Sequence, residues 1–313
     1  MQTNPQAANT VVMIRPHQFR TNEQTLKDNA FQIKTSSAKS QHSEALAYQQ
    51  VSIMTERLRR EGIEVLLFED VGTTTPDSVF PNNWFTTHAD GSLALYPMYP
   101  QNRRLERRKD IIEYLKSQYQ VKTYFDFSAL EQQQTYLEGT GAMVLDQVNK
   151  IAYVARSKRS HSQALARFCD NLDYRAISFN AIDQDGIAVY HTNVMMCIGT
   201  HFALVGSQMI INEDERNRVL QSLRDADKEV IELSEWQVQN FCANALELNT
   251  DKGALLALSQ TAFDALGASQ KITLEQYVTL LPLQVSALES AGGSVRCMLA
   301  AIHLSSSHPE TGS

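Results

Sequence analysis

The sequence predicts a mixed α/β fold built from repeated hairpin-plus-helix modules. Three observations predict it. Strand-length and helix-length patterns alternate along the chain, three hairpins recur at similar spacing, and each hairpin opens on a short polar motif. A recurrence of roughly fifty residues falls in the range of propeller-like arrays, whose equivalent strand entrances converge on an axis. Hairpin-plus-helix units are also common without symmetry, so both readings stand at this point.

Taken in order, residues 1–10 are polar and aperiodic and are expected to be a frayed tail, as are residues 305–313. Residues 11–15 and 64–68 are β-branched or aliphatic runs of strand length. Residues 84–88 and 92–96 flank the turn Ala89-Asp90-Gly91 and form the first hairpin. Over 105–119, Ile111, Ile112 and Leu115 alternate with charges as in an amphipathic helix. Residues 141–145 and 151–155 make the second hairpin, followed by a helix carrying Leu165 and Phe168. Residues 189–198 and 201–206 flank Gly199-Thr200 as the third. Asn212 then caps a helix whose first turn holds Glu213, Asp214 and Glu215, where acids suit the positive end of the helix dipole. Finally Gly292-Gly293 leads into Ser294-Val295-Arg296-Cys297, and Cys297 opens an apolar strand reaching Leu304. No Pro/Gly/Ser-rich linker interrupts residues 11–304, which predicts a single domain.

Composition narrows the function. Hydrophobic residues are 43% and charged residues 20% of the chain, ordinary for a globular protein. A net charge of -7 argues against a nucleic-acid surface, which needs clustered Lys and Arg. The basic run from Arg103 to Lys109 is broken by Leu105 and Glu106 and reads as a solvated helix face. No apolar stretch has the length of a membrane span, and the N-terminus lacks the order of a secretory signal. Cys169, Cys197, Cys242 and Cys297 show neither CxxC nor zinc-site spacing. The expectation is a cytoplasmic protein with no metal and no cofactor.

Cys297 follows a flexible turn and neighbours a basic residue; cationic surroundings favour the thiolate, the nucleophilic form. Two further motifs, Leu137-Glu138-Gly139-Thr140-Gly141 and His191-Thr192-Asn193, offer a carboxylate and a base. Each residue has a plainer reading: Cys297 as apolar filler, His191 as a core histidine, Glu138 as part of a glycine turn.

Six segments together resemble the arginine deiminase/amidinotransferase superfamily, closest to its citrulline-utilisation hydrolase branch. They are Val12-Met13-Ile14-Arg15-Pro16, Asn29-Ala30-Phe31-Gln32, Phe80-Pro81-Asn82-Asn83-Trp84-Phe85, the Glu138 motif, His191-Thr192-Asn193-Val194 and Arg296-Cys297-Met298. The resemblance implies a five-bladed α/β propeller, the pentein fold. It also implies roles: Cys297 as nucleophile, His191 as general acid/base and Glu138 as the carboxylate holding substrate nitrogens. The chemistry suits these types. A thiol attacks the resonance-stabilised carbon, an imidazole protonates the nitrogen leaving group and then activates water, and a carboxylate accepts from substrate N–H groups.

Superfamily members acting on arginine usually place Asp where this chain has Asn193 and Asn83. An amide there fits a neutral ureido group, because a carboxylate facing a neutral ligand is an uncompensated charge. The substrate expected is therefore citrulline, a small amino acid. Arginine deiminase, dimethylarginine hydrolase, amidinotransferase and a non-catalytic binding protein of the same fold are the alternatives. Arg15 and Arg296 are candidates for the substrate carboxylate, residues 22–32 for a loop over the site, and a homodimer for the assembly.

Overall fold

In each of four sheets the chain makes an antiparallel hairpin, crosses over through a helix, and returns a third strand parallel to the second. The computed structural model describes residues 5–26, 29, 31–32 and 40–307. Among these, five three-stranded sheets hold every strand. Strands β1 (Thr10–Pro16) and β2 (Glu64–Asp70) are parallel and flank the helix Ser40–Arg60 in sequence. Next come β3 (Phe85–Thr87), β4 (Ser92–Leu95) and β5 (Thr123–Asp126), then β6 (Val144–Asp146), β7 (Ile151–Ala155) and β8 (Arg175–Phe179). The third set is β9 (Met196–Ile198), β10 (Phe202–Val205) and β11 (Glu229–Glu232); the fourth is β12 (Leu246–Thr250), β13 (Gly253–Ser259) and β14 (Thr279–Leu283). The last strand, β15 (Ala300–Ile302), pairs antiparallel with β1, with Thr10 opposite Ile302, so the fifth sheet joins the two ends of the chain.

The crossover helices obey the expected periodicity. Ser162–Leu172 buries Ala164, Leu165, Phe168 and Leu172, one stripe at i, i+1, i+4 and i+8 that lies against its sheet. Burying a side chain the size of Phe168 contributes about 1.5–3 kcal/mol. Asn212 Oδ1 accepts from the Glu215 N–H and starts Glu213–Asp225 as the sequence suggests. The helix expected over 105–119 begins only at Lys109, since residues Asn102–Glu106 form a 3-10 turn.

The polar motifs do not open strands directly. Pro81–Asn83, Gly139–Ala142, Thr192–Val194 and Val295–Met298 each fold as a short helical turn just before β3, β6, β9 and β15. Cys297 thus sits in a turn, three positions before Ala300, where the strand it was expected to open begins. The expected frayed tail over residues 1–10 also differs. Gln6 is buried, its Nε2 donating to the Leu145 and Ile198 carbonyls while its Oε1 accepts from Gln147 N, and Thr10 belongs to β1. In the other expected tail, Ser305 and Ser307 are exposed but bond to the 118–120 backbone; residues 308–313 lie outside the described residues. Among the described residues no helix is long and apolar enough to cross a membrane.

Candidate active site

The helical turns preceding β3, β6, β9 and β15 bring their polar residues together. Glu138, at the head of the Gly139–Ala142 turn, is fully buried. Its Oε1 accepts from Tyr99 N at 2.9 Å, and its Oε2 accepts from His191 Nε2 at 2.8 Å and Arg159 Nη1 at 3.4 Å. Arg103 Nη1 lies 3.7 Å away. Burial opposes ionisation of Glu138, but Arg159, His191 and Arg103 outweigh it and hold the carboxyl well below its usual range. Both oxygens are engaged, and the bond at Oε2 orients the His191 ring.

His191 is pushed down to about 4 by burial, which its bond to Glu138 only partly offsets. It is neutral at neutral pH, and an ionised Glu138 draws the proton to Nε2, leaving the Nδ1 lone pair as the base. Gly141 makes room for this ring: a Cβ there would stand 2.8 Å from both Nδ1 and Cε1 of His191, and closer still to the Asn83 amide.

Cys297 is 3% exposed. Its Sγ accepts from two amides, Asn193 Nδ2 and Asn244 Nδ2, each at 3.2 Å. Asn244 also braces the turn, its Oδ1 accepting from Ser294 N at 3.2 Å and Cys297 N at 3.4 Å, and its Nδ2 bonding the Asn193 carbonyl at 3.1 Å.

A cavity of about 20 Å³ lies between these groups, walled by Cys297, His191, Asn83, Asp77, Arg103 and Arg159. Polar atoms are left over around it. Asn83 Nδ2 and Asp77 Oδ1 on its wall are buried without a hydrogen-bond partner, and so is Oδ1 of Asn193, whose Nδ2 bonds Cys297 Sγ. Native interiors pair nearly all such atoms, so their concentration here marks a place for a polar ligand. Burial pushes the Asp77 carboxyl up, against the pull of Arg103 and the bond from Asn22. Thr25 and Asn29 line the same cavity, which puts part of the 22–32 segment over the site as expected. Asn29 Nδ2 reaches the Ala291 carbonyl at 3.1 Å, and Gly292 (φ +82) is required beneath it, since a Cβ would fall 2.5 Å from that amide.

Two expected substrate residues are elsewhere. Arg15 packs on the outer helix: Nε reaches both Glu69 oxygens at 3.1 Å, Nη1 reaches Ser52 Oγ at 3.0 Å, and the guanidinium covers the Tyr48 ring. Its strand pairs with β2, and alternation along β1 turns that side chain outward. Arg296 points into a different cavity, its Nη1 bonding the Leu299 carbonyl at 3.1 Å. Successive residues in a helical turn diverge by about 100°, so a neighbour of Cys297 in sequence need not share its cavity. The cations at the site are instead Arg103 and Arg159, 2% and 1% exposed. Arg103 belongs to the run read as a solvated face; it forks onto Glu106 and lies 3.5 Å from Asp77. Among the described residues no group of three or more His, Cys, Asp or Glu is placed to hold a metal.

The family described as N,N dimethylarginine dimethylhydrolase, eukaryotic, matches residues 15–304. The chain belongs to this family. It is thereby a member of the pentein arginine deiminase/amidinotransferase superfamily, among hydrolases acting on C–N bonds. Similar solved structures carry the same fold. A substrate-bound mutant of the N-terminal domain of ArgZ, an arginine dihydrolase from the ornithine-ammonia cycle in Cyanobacteria, has a TM-score of 0.73 at 17% identity, covering 94% of this chain and 97% of that one. AgrE with ornithine and NAD+ gives 0.73 at 17%, covering 94% of this chain and 39% of that one. A dimethylarginine dimethylaminohydrolase adduct with S-methyl-L-thiocitrulline gives 0.61 at 14%, covering 94% and 100%. No curated protein sequence matches the chain significantly.

The buried histidines predict an acid limit on stability. His88, 0% exposed, is pushed down to about 3, chiefly by burial, and His191 to about 4. An unfolded imidazole takes its proton near pH ~6.5. Above that both states are neutral; below it the unfolded chain binds protons that the folded chain refuses, so stability falls from pH ~6.5 towards ~4. The expected loss by pH 5 is up to about 2 kcal/mol per histidine. Thermal melting from pH 8 to pH 5 checks this, and a midpoint unchanged over that window would contradict it.

Proposed function

We propose that the chain hydrolyses the ureido group of citrulline with one water to ornithine, ammonia and carbon dioxide, in a single cytoplasmic domain over residues 11–304. Its five modules would close around an axis as a propeller; inner strands β15 and β3, β6 and β9, and β9 and β12 touch one another in support. The observation that carries the substrate is the unpartnered Asn83 amide beside Cys297 and His191. A guanidinium offers only donors, whereas a ureido group offers an acceptor oxygen along with its N–H donors. Asn83 Nδ2 has a partner in the second and none in the first, and Asn193 Oδ1 is left to accept a ureido N–H.

In the first step Cys297 Sγ attacks the ureido carbon, and its proton passes by His191 Nδ1 to the departing nitrogen. Loss of that nitrogen leaves a carbonyl bonded to sulfur. His191 then takes a proton from water, whose oxygen displaces the thiolate, and the resulting carbamate decarboxylates. Asp77 and Arg159, on the same cavity, have the charges to meet the α-ammonium and α-carboxylate. Citrulline exceeds the volume present, so Thr25 and Asn29 shift when it binds.

A second reading, hydrolysis of arginine or a methylated arginine, is favoured by the family description and by ArgZ. Purified protein given citrulline, arginine and dimethylarginine separately, with ornithine, citrulline and ammonia measured, decides between them. Equal ornithine and ammonia from citrulline is the expected result. A tenfold preference for arginine in kcat/KM, about 1.4 kcal/mol, overturns it.

Substituting Asn83→Asp tests the donor directly. It removes the amide N–H and sets a carboxylate against a neutral oxygen, which costs roughly 1–3 kcal/mol. Citrulline kcat/KM should fall by about 5- to 150-fold, while arginine turnover holds or rises. The parallel change Asn193→Asp is a poorer test, because Asn193 Nδ2 bonds Cys297 Sγ and its loss would disable the nucleophile for every substrate.

A further inference from the structure

Behind Cys297, on the side away from the cavity just described, a second cavity of about 50 Å³ is walled by residues of β3, β6, β9, β12 and β15. All five inner strands contribute, so it lies where the five sheets meet. Gln6 lies across β6 and β9 on its wall, tied to the Leu145 and Ile198 carbonyls.

The chemistry of this space is lopsided. Arg296 projects into it, and of its five N–H donors one is used, on the Leu299 carbonyl. Among the described residues Arg296 pairs with no carboxylate, and no Asp or Glu lies on the wall. Glu247, whose charge reaches Cys197 on the wall, is bonded to the N–H and hydroxyl of Thr200. His303, also on the wall, is pushed down to about 4 by burial and by the nearby charges of Arg296 and Lys150. A neutral imidazole adds a donor and no negative charge. Thr86, Thr87, Thr140 and Gln147 are also on the wall; the Thr87 and Thr140 hydroxyls donate to backbone carbonyls, Thr86 Oγ1 bonds Tyr96, and Gln147 Oε1 accepts from Tyr174.

Arg296 is only partly exposed and burial opposes its charge, so an anion beside the guanidinium would be favourable. Here the protein supplies the cation, spare donors and a partly enclosed volume, and withholds the anion. The volume is several times the ~10–15 Å³ that admits one water and suits an ion of one to four heavy atoms. We propose that this axial cavity is a binding site for a small monovalent anion of the halide, nitrate or bicarbonate class, held by Arg296. The proposal is independent of which substrate the Cys297 site takes.

The test uses wild-type protein and the Arg296→Met variant, which keeps a long flexible side chain without charge. Thermal melting is followed in sodium bromide, sodium bicarbonate and sodium gluconate at equal ionic strength, gluconate being too large for the cavity. Wild-type Tm should rise with the logarithm of bromide or bicarbonate concentration relative to gluconate, by on the order of 2–4 °C over the titration. The variant should lose that dependence. Crystals soaked in sodium bromide should show anomalous density beside Arg296 in wild-type protein and none in the variant. Superimposable wild-type curves in all three salts would overturn the proposal. So would bromide density confined to the molecular surface. Should Arg296→Met fail to fold, the three wild-type titrations and the bromide soak still decide. A response to bicarbonate alone, or to both ions, identifies which source fills the site.

Discussion

Replacing Cys297 by alanine or serine is expected to abolish turnover, and the two variants are expected to differ in stability. The wild-type sulfur accepts hydrogen bonds from Asn193 and Asn244, each at 3.2 Å, in a site that is 3% exposed. Alanine strands both amide N–H groups, and an unpaired buried donor costs about 1–3 kcal/mol. Serine keeps an acceptor at nearly the same place. Neither carries a usable nucleophile, because a hydroxyl does not ionise at neutral pH as a thiol can. Activity should therefore vanish in both, while Cys297→Ser melts near the wild-type temperature and Cys297→Ala melts lower. An alkylating agent should label Cys297 with loss of activity, slowed by substrate. Turnover within tenfold of wild type in either variant would remove Cys297 from the mechanism.

Glu138→Gln should cost activity and stability together. Its carboxylate is the shared partner of His191, Arg159 and Arg103, all but excluded from solvent. Removing one member of a buried charge network leaves the others uncompensated, typically at 3–5 kcal/mol. A glutamine amide can also present N–H to His191, turning the ring to the wrong tautomer. General acid/base assistance is worth ~10²–10⁴-fold, and the expected loss in kcat is of that order. Kinetics and thermal melting on the same preparation separate the two effects. A variant with full kcat and lowered Tm would make Glu138 a purely structural residue.

The parts of the site legible in the sequence were those where chemistry and backbone requirement coincide. Glu138 stands before Gly139 and Gly141 and Cys297 follows Gly292-Gly293, glycines the geometry needs; at Gly141 the His191 ring and the Asn83 amide occupy the place of a side chain. Asn244 went unread. It precedes β12 as the other motifs precede their strands, but Cys242-Ala243-Asn244-Ala245 carries no glycine, histidine or acid to set it apart. The repeat was recognised through four openings, and a fifth polar residue ahead of 246–250 was the available signal. Arg103 was hidden differently: a basic run looks solvated whichever member turns inward, and its long-range partners Asp77 and Glu138 cannot be read from local spacing. Arg15 and Arg296 failed for the complementary reason, since nearness along the chain to a motif does not fix which way a side chain faces.

The pairing of β1 with β15 also sets an order of events during synthesis. Glu138 and His191 are made long before Cys297, and the turn that carries Cys297 leads directly into the strand that must find Thr10, opposite Ile302. Contacts so distant in sequence form late, because the intervening loop must close before they repay its entropy. During synthesis Glu138 and His191 therefore emerge before the Cys297 thiol that completes their cluster. The protein becomes chemically competent only when its last sheet takes in its first strand.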